Sequence, residues 1–173
     1  MKKIIYFVMA AAVCVLAACG GKSSQQSAEE EKASQELAAN GTVFEGANFS
    51  ITYPKEWKET FKNEITINAA ADDNYTKMDA TFSDMPCKPA DFEQYYKNFT
   101  GMSMHASFKF DQPVIDGNIL TFKGVKEDGF CMTNFVVFID NAAGVAGSFK
   151  YPAEKAAEVE KLIKPILSSI KKK

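Results

Sequence analysis

The stretch Phe130–Ile139 is apolar on both faces, with Phe135, Val137 and Ile139 alternating with Val136 and Phe138. A strand of that kind has to be covered above and below, which places it centrally in a sheet with helices on either side. Turn chemistry supplies its neighbours. Asp116-Gly117, Asp128-Gly129 and Asp140-Asn141 separate runs at Ser107–Ile115, Asn118–Val125, Phe130–Ile139 and Gly144–Tyr151. Such pairs favour the positive φ of tight hairpins, so the four runs are expected to form an antiparallel meander.

Two amphipathic segments provide the covers. Val159, Leu162, Ile163, Ile166, Leu167 and Ile170 recur at intervals of three and four, and Phe92, Tyr95, Tyr96 and Phe99 do the same over Asp91–Thr100. Pro165 removes a backbone donor and is expected to bend the first of these helices near Lys161–Lys164. Upstream, Asn48–Tyr53 alternates with Phe49, Ile51 and Tyr53 inward until Pro54 stops it. Glu64–Ala70, with Ile65 and Ile67 inward, and Thr76–Ser83, with Met78, Ala80 and Phe82 inward, read as a hairpin turned at Asp72-Asp73-Asn74.

The first residues form an address. Lys2-Lys3, an apolar run from Ile4 to Leu16 and small residues before Cys19 describe a secretory signal over residues 1–18, too short for a transmembrane span. Leu16-Ala17-Ala18-Cys19 resembles the lipobox of bacterial lipoproteins. That resemblance implies cleavage between Ala18 and Cys19 and an acylated Cys19 holding the chain on a membrane of the cell envelope. Gly20, where an Asp would imply retention in the inner membrane, implies the outer one. Residues 19–41, rich in Ser, Gln, Glu and Ala, are expected to be a flexible tether of about 26 Å if coiled, with a transient helix over 28–39. Residues 42–173 then make one domain.

Charge narrows the partners. All 20 basic residues are Lys; once Lys2 and Lys3 leave with the signal, 18 remain against 22 acidic groups, a net charge near −4. Without Arg there is no bidentate fork for phosphate or guanine, so nucleic acid is excluded as a partner. Lys171-Lys172-Lys173 is read as a complement to a helix C-terminus. Cys87 and Cys131 are the remaining cysteines, and in an oxidising envelope they form either a disulfide or two buried thiols. With His105 the single histidine and no close Cys pair, a zinc site is not expected.

Ala47-Asn48-Phe49-Ser50-Ile51-Thr52-Tyr53-Pro54-Lys55-Glu56-Trp57 resembles the opening of the PsbP-like fold, and the later order of hairpin, helix, meander and helix is similar to it. The resemblance implies an α+β architecture: an αβα sandwich, an antiparallel sheet with a helix on each face. It also implies a non-enzymatic protein acting through protein partners, without a cofactor. The residues themselves leave alternatives open. Trp57 is a core plug or, with Tyr53 and Tyr75, an aromatic platform for a small molecule or glycan. His105 is a loop histidine or the base of a hydrolase-type site. Asp72, Asp73 and Asp79 are turn carboxylates or calcium ligands. Met102 and Met104 fill core gaps or bind soft metals.

Overall fold

The computed structural model describes residues 24–173, so the predicted signal, with Ala18 and Cys19, lies outside the described residues. The chain opens with α1 (Ser24–Asn40), β1 (Thr42–Glu45), β2 (Phe49–Tyr53), β3 (Lys58–Lys62), β4 (Thr66–Ala70) and β5 (Lys77–Ser83). Next come α2 (Phe92–Thr100), β6 (Lys109–Phe110), β7 (Val114–Asp116), β8 (Ile119–Val125), β9 (Phe130–Asp140) and β10 (Ala143–Pro152), then α3 (Ala156–Ser168) and β11 (Lys171–Lys172).

The main sheet is antiparallel throughout and runs β3-β4-β5-β10-β9-β8-β6, with β7 also on β8; a smaller sheet runs β1-β2-β11. The expected α+β arrangement, one antiparallel sheet with a helix on each face, is present. β9 is flanked by β8 and β10 and buried over most of its length, as its two apolar faces require. Cys131, Phe135 and Val137 point to the α3 side with Val145 and Phe149 of β10, in a cluster that also takes in Phe49, Ile51, Tyr53 and Trp57. Val136 points to the α2 side with Phe92, Leu120 and Phe122. At Gly147 a Cβ would lie 1.9 Å from the Asp79 carbonyl oxygen, so the close approach of β5 and β10 needs glycine there.

Local chemistry sets the turns. Gly117 and Gly129 adopt φ of 61° and 81°, as their Asp-Gly pairs anticipate, while Asp140-Asn141 turns without a positive φ. There Asp140 Oδ1 accepts from the Ala142 amide and the ladder shifts register at Ala143/Gly144.

Several expectations are corrected. Ile65 is not inward: its amide bonds the Asn63 side chain in a local turn before β4, and the side chain is largely exposed. Ser107–Ile115 is two short strands because the segment around Pro113 leaves the ladder. Pro165 is not among these: it lies inside α3, its ring buried beside Ile166 and Leu167. Lys171 and Lys172 form β11 against Ser50 and Phe49, and Lys172 and Lys173 pair with Asp140 at 2.6 Å and Glu45 at 2.8 Å.

The largest departure concerns the tether, expected from 19 to 41 as flexible chain with a transient helix over 28–39. Its described part, residues 24–40, is α1, packed along α3 and β2. A polar helix of that length is marginal alone in water. Ala33 and Leu37, four residues apart on one face, are both buried and supply the seam that holds it. Burying Leu37 contributes about 1.5–3 kcal/mol.

Candidate functional site

The amphipathic spacing of α3 directs Ile163 and Leu167 onto the sheet, and Glu160 and Lys164 flank that stripe. β7 and β8 face them with Val114, Ile119, Thr121 and Lys123. Between the two walls lies a groove of about 310 Å³, floored by Thr133 of β9 and reached by Glu30 of α1. Its rim is apolar where β7 forms the sheet's margin: Val114, in register with Thr121, lines the groove and is 59 % exposed, whereas Ile115 pairs with Leu120 on the opposite face.

A polar network lies at the groove's inner end. The fully buried Tyr151 Oη lies 2.8 Å from Thr133 Oγ1 and donates to Glu160 Oε1 at 3.1 Å. Lys123 Nζ donates to the same Glu160 oxygen at 2.7 Å, and Lys164 Nζ meets Asp116 Oδ2 at 2.8 Å. Burial, reinforced by the Glu160 carboxylate, drives the Tyr151 phenol well above its ordinary range. The hydrogen bond to Glu160 holds Lys123 above the usual lysine value. Burial also raises the Cys131 thiol, although Lys123 opposes the shift. Tyr151 and Lys123 therefore stay protonated near neutrality, and Cys131 is held away from the thiolate that a nucleophile requires.

The residues singled out by sequence are dispersed. Tyr53 and Trp57 are buried in the α3-side core, Tyr53 Oη donating to Glu59 Oε1 at 3.1 Å, whereas Tyr75 is 69 % exposed on the β4–β5 turn. No aromatic platform forms from these three. Cys87 and Cys131 are free thiols. Cys87 packs on the α2 side of the sheet near Val136, and Cys131 lies five residues from Val136 along β9 on the α3 side. At about 3.3 Å per residue that is roughly 17 Å, far beyond a disulfide's reach. His105 stacks on Phe99, and among the described residues its ring has no hydrogen bond to a Ser or carboxylate. Asp73 caps its turn through the Tyr75 and Thr76 amides, Asp72 pairs with Lys58, and Asp79 receives Ser148. Among the described residues no group of three or more His, Cys, Asp or Glu could hold a metal. Met102 and Met104 are exposed and fill no core gap.

The network residues Lys123, Thr133, Tyr151 and Glu160 escaped the sequence reading. One signal was available: Thr133-Asn134 is a polar pair in the middle of an otherwise apolar buried strand.

No family model matches this chain, and no curated protein matches it. Solved structures do share its fold. The Ran-binding protein Mog1p of Saccharomyces cerevisiae aligns over 76 % of this chain and 95 % of its own, with 11 % identity and a TM-score of 0.54. Cyanobacterial PsbP (CyanoP) from Synechocystis aligns over 91 % of this chain and 99 % of its own, with 10 % identity and a TM-score of 0.54. The fold is PsbP-like. The agreement with CyanoP covers nearly the whole of that protein, so the PsbP-like order seen from Tyr53-Pro54 and Trp57 onward extends over the domain.

Proposed function

We propose that this chain is a non-enzymatic, lipid-anchored protein of the bacterial cell envelope that binds a protein partner through the groove between α3 and β7–β8. The observation that carries the reading is the groove's composition. Lys123 and Lys164 are paired with Glu160 and Asp116, while Val114 offers apolar surface at a sheet margin. Such a surface suits docking, where apolar anchors beside satisfied polar groups give affinity and register. Mog1p, which shares the fold, is described as Ran-binding; the partner here is a different question, set by this groove.

The anchor rests on Leu16-Ala17-Ala18-Cys19, and Gly20 supports the outer membrane as destination. Residues 20–23 alone separate Cys19 from α1. At about 3.5 Å per residue the link spans at most about 17 Å, so the docked α1 would hold the domain close to the bilayer. Replacing Cys19 with Ala should move the protein from the membrane to the soluble fraction, and intact mass of the mature N-terminus should show acyl chains. Crosslinking in intact cells should capture one reproducible protein through the groove. Val114→Asp should cut that capture about tenfold or more with little change in unfolding midpoint, whereas Ile115→Asp, on the opposite face of β7, should leave it unchanged. Undiminished capture by Val114→Asp would reject the groove as the docking surface.

A further inference from the structure

We propose that Met102, Met104 and His105 form a binding site for a soft monovalent cation, Cu(I). The run Met102-Ser103-Met104-His105 gathers the chain's single histidine with two of its seven methionines. Methionine ordinarily earns its place by filling irregular gaps in a core. Met78 and Met132 do so here, at 1 % and 5 % exposure, but Met102 and Met104 stand 47 % and 75 % exposed. Packing does not account for them.

Local structure brings the donors together. Ser103–His105 is one 3-10 turn entered from Met102, and the His105 amide donates to the Met102 carbonyl at 2.9 Å. Met102 enters the turn with extended backbone and Met104 is next to His105 in the chain, so the three donors are carried on one short turn. The imidazole lies flat on Phe99, with ring centroids 4.1 Å apart and planes 14° from parallel. Phe99 in turn packs edge-on against the buried Phe122, with centroids 5.2 Å apart. Stacking occupies the face of the imidazole. Both nitrogens sit on its edge, and no hydrogen bond among the described residues takes either.

Two thioethers and one imidazole are neutral, polarisable donors, and soft ligands of this kind select Cu(I) over hard divalent ions. Calcium and magnesium call for an oxygen cage, which these side chains do not offer. A closed-shell ion with few ligands also tolerates a shallow site on one turn.

Because Cys87 and Cys131 are free thiols that would themselves take Cu(I), the test begins with a Cys87→Ser, Cys131→Ala protein whose fold is checked by circular dichroism. In competition with a chromophoric Cu(I) chelator it should retain a single equivalent of Cu(I). Met102→Leu with Met104→Leu should lower that affinity about 100-fold, and His105→Gln about tenfold, with unfolding midpoints little changed. A second measurement uses the same Cys87→Ser, Cys131→Ala protein, labelled at the methionine methyls and titrated with Ag(I) as a redox-stable surrogate. The Met102 and Met104 resonances should shift, and those of Met78 and Met132 should not. Failure of the thiol-free protein to retain Cu(I), equal affinity in the Met102→Leu, Met104→Leu variant, or unmoved Met102 and Met104 methyls would each overturn the site.

Discussion

The two faces of the main sheet solve the same covering problem differently. On the α3 side, one continuous cluster runs from Ile67 and Met78 through Val145, Phe149, Phe135 and Val137 to Ile163 and Ile166, closed further by β2 and the Leu37 face of α1. On the α2 side, an aromatic cluster of Phe92, Tyr95, Tyr96, Phe99, Phe110 and Phe122 covers the β8–β9 half. The other half of that face is polar. Asn68, Asp79, Ser148 and Asn134 stand in one cross-strand row, each in register with the next. One face is built for stability, whereas the other spends part of its area on hydrogen-bonding groups that add little to it.

The sharpest contrast should come from matched truncations. Phe149→Ala empties a fully buried site and is expected to cost about 3–5 kcal/mol in urea unfolding. Phe99→Ala, at a partly buried site, is expected to cost about 1–2 kcal/mol. Equal costs would show that the α2 cover is as integral as the α3 core.

Alkaline pH probes the α3 side through its two buried phenols. Burial, then the Glu59 hydrogen bond, pushes Tyr53 up to about 12, and burial raises Tyr151 further. Well below the ordinary tyrosine value of 10.0 both tyrosines are protonated whether the chain is folded or unfolded, so neither makes stability depend on pH there. Above pH 10 the unfolded chain releases protons that the folded one retains, and stability falls as pH rises. Urea midpoints should therefore decline from pH 10 to 12, less steeply in Tyr53→Phe. Tyr151→Phe should itself cost about 1–3 kcal/mol at pH 7, because Thr133 Oγ1 loses a buried partner. A midpoint flat to pH 12 would remove the ascribed burial.

Much of this division was legible beforehand. The doubly apolar β9, the 3.6-residue stripes of α2 and α3 and the two Asp-Gly turns each carry a local physical signal that no distant contact overrides. β3 carried none. Lys58–Lys62 is a fully exposed edge strand, and its lysines suit an edge that has to resist pairing with other chains. α1 was legible only as a transient helix over 28–39; its docking was hidden because a seam of Ala33 and Leu37 is visible only once α3 offers the other half. The groove depends on register: Lys123, Thr133, Tyr151 and Glu160 come from four elements, and sequence spacing does not reveal that β8, β9 and β10 set three of them beneath α3.

Smaller effects test the polar groups. Lys123→Met should cost at most about 1 kcal/mol, since the Lys123–Glu160 pair is partly solvated, with side-chain exposures of 30 % and 42 %. A loss beyond about 2 kcal/mol would mean that Glu160 and Tyr151 depend on that ammonium for their place.

The smallest expected change is the most informative about the polar row. Asn134 is buried between Ser148 and Phe122 in register, and its Nδ2 has no hydrogen-bond partner among the described residues. A buried unpaired amide donor is a standing cost, so a side chain of similar size without it should do no harm. Asn134→Leu is expected to leave the urea midpoint unchanged or to raise stability by up to about 1 kcal/mol. The same polar-to-apolar change at Thr133, one residue away on the opposite face, should destabilise, because Thr133→Val removes one of the two hydrogen-bond partners of the buried Tyr151 hydroxyl. If Asn134→Leu instead costs more than about 1 kcal/mol, the amide is held by a bound water or ligand, and the α2 face is a working surface rather than an incomplete core.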